Sequence, residues 1–390
     1  VLGFGALPPL RVDRTGATLV GATAMVGLGV LTPRQAVAAV DFHTLALLFG
    51  MMVLTAHLRL AGFFRWLGAR ALGWTRTPSA LLVAVVALSG ILSALFVNDT
   101  VCLLLTPLVL EITSVLGVAP VPFLLAVAMG ANVGSVATIV GNPQNMLVAS
   151  FSGIGYARFA AALGPVALLG LAATSLILVA AFRRQLVAAP APAAVPARIV
   201  HRALLVKSLG VAGGLLVALL AGVAPSLAAL LAASALLITR RVKPVKVYAQ
   251  VDWSLLAMFA GLFIVVDGLE RTGLPSALLG NLRDGVRDSL GALVGVTTVL
   301  SNVVSNVPAV LVLRGWIAAF PDPERAWLAV AMASTLAGNL TLVGSVANLI
   351  VVEQARGRAN LGFWAYARVG VPVTLATLAI GTAWLAFAPR

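Results

Sequence analysis

The sequence predicts an all-α polytopic membrane protein built as two inverted repeats, each with a re-entrant helical hairpin and a discontinuous transmembrane helix. Three observations predict it: an apolar composition, one order of motifs met twice, and polar residues interrupting apolar runs at matching places. Apolar residues make up 61% of the 390 and charged residues only 10%, with a mean hydropathy of +1.07. A soluble domain carries about a quarter charged residues. The apolar runs here, about 17–25 residues long, fit a hydrocarbon core of roughly 30 Å, which excludes a soluble fold.

In order along the chain, residues 1–10 read as the tail of a truncated first helix, because the sequence starts Val-Leu-Gly without a Met or a signal peptide. Helices are expected near 15–31 and 42–60. Two arms at 79–97 and 100–117 meet at Val97-Asn98-Asp99-Thr100, and an element at 121–150 is interrupted by Gly134-Ser135 and Gly141-Asn142-Pro143. A helix at 159–182 closes the first repeat (1–182). Residues 183–202, with Pro190, Pro192 and Pro196, read as a linker. The second repeat (203–390) has helices near 203–222, 225–240 and 252–270, then arms at 286–304 and 306–320 around Ser305-Asn306-Val307-Pro308. It ends with an interrupted element at 325–354 and a helix at 363–388.

The duplication is legible in residues. Asp41-Phe42 precedes Gly50 and Gly62 as Asp252-Trp253 precedes Gly261 and Gly273, at identical spacing. Ser93 and Asn98 match Ser301 and Asn306, and Gly141 and Asn145 match Gly344 and Asn348. The number of crossings between Asp41 and Asp252 is odd whether the arms re-enter or span, so the repeats are inverted. One face then collects 17 of the 26 Lys and Arg against 8 on the other, with Arg368 unassigned. The positive-inside rule makes the rich face, including 183–202, cytoplasmic.

Four segments place polar groups where a bilayer penalises them: the two tips and the interruptions Asn132–Asn145 and Asn339–Asn348. Each unpaired backbone group at such depth costs several kcal/mol, so it must find partners or line a wet cavity. The candidate binding residues are Asn98, Asp99, Thr100, Gly134, Ser135, Thr138, Gly141, Asn142, Pro143 and Asn145 in the first half. In the second they are Ser305, Asn306, Asn339, Thr341, Gly344, Ser345 and Asn348. Their oxygens are hard ligands suited to Na⁺ or proton exchange, with Na⁺ expected at Asn98, Asp99, Asn142 and Asn306, while helix N-termini after each break favour an anion. No Lys or Arg lies in the four segments, so amides, hydroxyls and a co-bound cation would hold that anion.

Other residues read as structural. Glu111, Asp267, Glu270 and His57 are expected at the membrane interface, and Cys102 in the core. One cysteine and three scattered histidines exclude a disulfide framework and a Cys/His metal site. No nucleophile–base constellation supports an enzyme. The net charge of +14 sits between apolar runs rather than on a basic helix, so no nucleic acid partner is expected.

At Phe96-Val97-Asn98-Asp99-Thr100, Gly141-Asn142-Pro143-Gln144-Asn145, Ser305-Asn306-Val307-Pro308 and Gly338-Asn339 through Asn348, the chain resembles the ion transporter superfamily. That superfamily holds arsenite permeases, sodium–proton antiporters and citrate or dicarboxylate carriers. The resemblance implies secondary active transport by an elevator-type movement, with no cofactor beyond a coupling Na⁺ or H⁺. A homodimer in a lipid bilayer, that of a bacterial inner membrane, is a separate expectation. The dicarboxylate carriers carry Ser-Asn-Thr at both tips; this chain has Asn98-Asp99-Thr100 and Ser305-Asn306-Val307. The expected cargo is therefore a small anion or oxyanion, arsenite first, with citrate or another dicarboxylate carried with Na⁺, or Na⁺/H⁺ exchange, as the alternative.

Overall fold

The structure, a computed structural model, describes residues 13–72, 75–186, 201–239, 241–273, 285–286 and 289–387. The described residues open with α1 (Arg14–Gly27), α2 (Pro33–Ala39), α3 (Phe42–Leu60) and α4 (Phe63–Leu72). A hairpin of α5 (Pro78–Leu95) and α6 (Asn98–Leu116) follows. Then come α7 (Val121–Ser135), a 3₁₀ turn (Ile139–Gly141), α8 (Pro143–Ser152) and α9 (Tyr156–Phe182). After α10 (Arg202–Leu220) the order recurs as α11 (Pro225–Leu237), α12 (Pro244–Tyr248) and α13 (Trp253–Arg271). The second hairpin is α14 (Leu290–Val304) and α15 (Asn306–Ile317). Last are α16 (Pro323–Leu336), 3₁₀ turns Ala337–Asn339 and Leu342–Gly344, α17 (Val346–Ala355) and α18 (Phe363–Phe387).

Among the described residues, seven helices are long and apolar enough to cross a membrane: α3, α5, α6, α9, α10, α13 and α18. The short α2, α4 and α12 were not expected from the sequence. The expected tail 1–10 and most of the linker, 187–200, lie outside the described residues.

Local chemistry sets where helices start. Asp13 accepts from Gly16 N at 2.7 Å to cap α1, and Thr32 with Gln35 forms a capping box ahead of Pro33. Asp41 and Asp252, which anchor the sequence alignment of the halves, are N-caps of α3 and α13, accepting from Thr44 N and Leu255 N. Each cap satisfies N–H groups that the helix itself cannot pair.

Packing is reciprocal. α1 runs parallel to α13, with Gly261 facing the Thr18 backbone and Gly268 facing Met25. α3 runs parallel to α11, with His43 beside Ser226 and Gly50 facing the Ala229 backbone. Gly50 and Gly261, like Thr18 and Ala229, are 211 positions apart, so each pairing is the other with the halves exchanged. α9 and α18 pack antiparallel: Trp384 Nε1 donates to Ala162 O at 2.9 Å, Gly381 meets Val166, and Gly170 meets Thr377.

At the centre lie α7 and α16, buried along nearly their whole lengths. A helix apolar on every side belongs in the core. Around them, large apolar side chains such as Leu168, Leu176, Val206 and Val217 stand exposed, as on a surface that faces lipid. α7 lies so close to α5 that a Cβ on Gly134 would overlap the Gly90 backbone, and one on Gly130 would come within 2.8 Å of Val86 O.

Candidate functional site

Both core helices end at the middle of the bundle, and the chain beyond each is built alike. After α7 the backbone turns through Ser135–Gly141, and Asn145 in the first turn of α8 reaches back, its Nδ2 donating to Ser135 O (3.0 Å) and Thr138 O (2.9 Å). After α16, Asn348 in α17 donates to Gly338 O (2.7 Å) and Thr341 O (3.1 Å), carbonyls at the same distances back in sequence. Asn142 caps α8 on Asn145 N at 2.8 Å, and Ser345 caps α17 on Ala347 N at 3.2 Å. Carbonyls freed by a helix break are thus satisfied by asparagine amides rather than water.

The two turns also bond each other. Asn132 is fully used: Nδ2 donates to Asn339 Oδ1 (2.9 Å) and Asn348 Oδ1 (3.0 Å), and Oδ1 accepts from Asn98 Nδ2 (3.1 Å) and Ser345 Oγ (3.2 Å). Its counterpart 203 positions on, Thr335, donates to Asn145 Oδ1 (3.3 Å) and accepts from Asn142 Nδ2 (3.2 Å) and Gln144 Nε2 (3.1 Å). Asn132, Asn142, Asn145, Asn339 and Asn348 are all buried.

The hairpin tips close over this network. Asn98 is held by Asn132, and Asn306 Nδ2 lies 3.6 Å from where a Cβ on Gly338 would stand, as does Asn132 Nδ2. Thr138 Oγ1 donates to Ala94 O in the first hairpin, and Thr341 Oγ1 donates to Asn302 Oδ1 in the second. Four buried oxygens here have no hydrogen-bond partner among the described residues: Ser93 Oγ and Asn98 Oδ1, and their counterparts Ser301 Oγ and Asn306 Oδ1. Unpaired buried polar atoms are costly, and these four stand at matching positions of the two hairpins. Ser305 has φ 80° and ψ 159°, a region that glycine alone occupies without strain.

A cavity of about 220 Å³ lies between the tips, bounded by Asn98, Asp99, Pro143, Gln144, Ser305, Asn306 and Ser345. Arg14 and Asp252 also line it, from the N-termini of α1 and α13. Of the residues expected to bind, Asn98, Asp99, Pro143, Ser305, Asn306 and Ser345 meet at this cavity. Ser135, Thr138, Asn142, Asn145, Asn339, Thr341 and Asn348 form the network behind it. Gly134, Gly141 and Gly344 serve close packing, Gly141 against the Ser135 backbone and Gly344 against Asn302 Oδ1 at 2.9 Å. Thr100 lies on α6 and does not line the cavity.

Three expectations need correction. Arg14, grouped with the loop charges, opens α1 and lines the cavity, so an anion would not depend on amides and hydroxyls alone. His57 is fully buried in α3, its Nδ1 2.8 Å from Val53 O. Asn132, Gln144, Thr335 and Asp252 were absent from the expected site; the 203-residue offset pairing Asn132 with Thr335 would have found two of them. Cys102 is in the core as expected, and Glu111 and Asp267 form half-exposed ion pairs with Arg65 and Arg271. No cluster of metal ligands occurs among the described residues.

An uncharged polar centre, sealed inside an apolar bundle and opening to one small cavity, defines an integral membrane transporter of small solutes. The family model described as CitMHS, citrate transporter, matches residues 6–324, and the chain belongs to that family. It is 34% identical to the silicon efflux transporter LSI3 of Oryza sativa subsp. japonica, over 97% of this chain and 93% of that one. It is 26% identical to the putative transporter arsB of Dictyostelium discoideum, over 95% and 87%. The crystal structure of the Alcanivorax borkumensis YdaH transporter has the same fold, with a TM-score of 0.63 at 17% identity, covering 98% of this chain and 93% of that chain. The matches are to transporters, consistent with a role other than catalysis.

Proposed function

We propose that this secondary transporter carries a small carboxylate, citrate or a close relative, together with Na⁺ or H⁺. The observation that carries the proposal is the meeting of both tips with Arg14 at one cavity. Guanidinium pairs with carboxylate through two parallel hydrogen bonds. The four unpaired oxygens at Ser93, Asn98, Ser301 and Asn306 are suited to the coupling cation. Asp99 is the coupling carboxylate. Of the sequence-based alternatives, the family description favours the carboxylate over arsenite.

The two halves (1–182 and 203–390, joined by the cytoplasmic linker 183–202) form inverted repeats. The antiparallel packing of the equivalent helices α9 and α18 supports this, since a two-fold axis relating antiparallel membrane helices lies in the membrane plane. The α5–α6 and α14–α15 hairpins are re-entrant, α7–α8 and α16–α17 are discontinuous membrane helices, and the site moves by an elevator step. The protein acts as a homodimer in a bacterial inner membrane.

A second reading, an uncharged or singly charged oxyacid, is favoured by one observation. Asp99 and Asp252 outnumber Arg14 around the cavity, and carboxylates accept hydrogen bonds from hydroxyls. The relatives named for silicon efflux and as arsB point the same way for those proteins. Proteoliposomes separate the readings. Citrate uptake driven by a Na⁺ or H⁺ gradient and lost in Asp99→Asn supports the first. Arsenite flux without citrate flux sinks it, and undiminished coupling in Asp99→Asn removes Asp99 from the mechanism.

A further inference from the structure

Away from the transport site, a second cavity collects cations only. It is lined by Arg202 at the start of α10, by Arg241, and by Lys243 and Lys246 of the α11–α13 connection, with His201 and Leu60 completing the wall. His201 N donates to Ala61 O at 3.2 Å, fixing the start of α10 against the end of α3. Lys207, one turn inside α10, donates to Ile238 O at 2.6 Å and ties the other wall. The pocket is therefore part of the packed structure rather than a loose array of surface lysines.

Among the described residues none of these four cations has a carboxylate within ion-pair distance. The sequence explains why: no Asp or Glu stands between Glu111 and Asp252. Like charges gathered in one concavity without counter-charge destabilise the fold unless an anion completes them. The surroundings say where that anion comes from. Ile238 and Val245, close to the lining residues along the chain, stand 80% and 74% exposed, and Tyr248 and Trp253, next in sequence, are exposed as well. Trp253 Nε1 donates to Tyr248 O, and its ring lies 5.9 Å from Phe49. Bare aliphatic side chains next to tethered Trp and Tyr mark the level at which a bilayer passes from acyl chain to headgroup. Basic pockets between membrane helices at that level take phosphate headgroups.

We propose that this cavity binds the phosphate of an anionic lipid, holding the start of α10 to the α11–α13 connection. The lipid's phosphodiester sits among Arg202, Arg241, Lys243 and Lys246, and its acyl chains lie on the exposed aliphatic side chains of Ile238 and Val245. The proposal is independent of the transported solute.

The test uses the full chain, delipidated in neutral detergent. Its thermal unfolding is followed on titration with phosphatidylglycerol, with phosphatidylcholine and with inorganic phosphate. Phosphatidylglycerol should raise the melting temperature in a saturable way and phosphatidylcholine should not. A basic residue near an anionic surface contributes roughly fivefold in affinity, so replacing all four by Gln should weaken binding by roughly a hundredfold or more. Arg183→Gln/Arg184→Gln, outside the pocket, should leave it intact. Should the Gln variant fail to fold, Arg202→Lys/Arg241→Lys keeps the charge and should retain most of the affinity. Inorganic phosphate matching the lipid's effect would keep the phosphate site and assign it to a soluble ligand. Equal responses to both lipids, or an unchanged response in the Gln variant, would overturn the proposal.

Discussion

Asn132 is the residue on which the two halves most depend, and replacing it by Leu measures that dependence. Leucine keeps the number and branching of the side chain's heavy atoms while removing every hydrogen bond, at the cost of some added bulk. It strands four buried groups: the Asn98 amide, the Ser345 hydroxyl and the Oδ1 atoms of Asn339 and Asn348. The Ser345 hydroxyl can rotate, and Asn98 lines the cavity where water reaches it. Asn339 and Asn348 have no such escape, since their amide nitrogens are already committed to backbone carbonyls. At about 1–3 kcal/mol for each stranded acceptor, the loss is roughly 2–6 kcal/mol. Four interhelical bonds at the membrane-protein mean of about 0.6 kcal/mol give a similar lower limit. Denaturation of purified protein in mixed micelles reads the difference directly. A change within about 1 kcal/mol of wild type would mean that the network does not join the halves, and the assignment of a shared central site would fall with it.

Ser93→Ala and Ser301→Ala remove hydroxyls that have no partner, so each should leave thermal stability unchanged or slightly raised. If those oxygens hold the coupling cation, each variant should also raise its half-saturating concentration about tenfold or more in flux assays, since a bond to a charged group is worth about 1.5–3 kcal/mol. Gly134→Ala should destabilise by about 1–3 kcal/mol or abolish folding, because the added methyl meets the Gly90 backbone. In contrast Gly164→Ala in α9, with open space around its Cβ, should be neutral or stabilise by up to about 1 kcal/mol; paired melting curves compare them. Arg14→Gln should raise the half-saturating concentration of a carboxylate about tenfold or more, and an unchanged value would favour an uncharged solute.

The sequence made most long helices legible because their apolar runs end at identifiable polar or Gly/Pro residues. The expected 42–60 is α3, and the tip at Asn98 falls where α6 begins. The helix breaks were legible for a related reason: Gly-Asn-Pro inside an apolar run cannot continue a helix, and Asn142 turns out to be the cap of α8. The short helices were not. α4 carries Arg65 and Arg70 among apolar residues, and α12 has five residues, so both read as charged loop. Arg14 was hidden for the same reason: a charge at a helix start looks alike whether it faces water or a cavity, and only packing of α1 along α13 decides. Asn132 and Thr335 differ in type, so matching identical residues passes over them; the 203-residue offset of their neighbours and their bonds across the centre pair them.

The duplication extends to the cavities. Residues of α1, α11, α3 and α13 match at an offset of 211, and that offset carries one cavity onto another. Thr15, Ser254, Leu255 and Met258, around the central cavity, become Ser226, His43, Thr44 and Leu47. These four line a separate pocket, walled off by Met146, Ala149 and Tyr156 of α8 and α9. If the halves are inverted as proposed, the two cavities lie on opposite membrane faces, one vestibule reaching the tips and the other not. Exchanging the conformations of the halves would reverse the two, which is what alternating access requires. Thr44, now 1% exposed and bonded to Asp41 Oδ2 at 2.7 Å, then becomes accessible. In a background where Cys102, the single cysteine, is replaced by Ala, Thr44→Cys should react slowly with a membrane-impermeant maleimide at rest. During coupled turnover it should react faster, and Asp99→Asn should cancel the increase. A rate indifferent to turnover would show that this pocket never opens, and a single-vestibule mechanism would have to replace the exchange of halves.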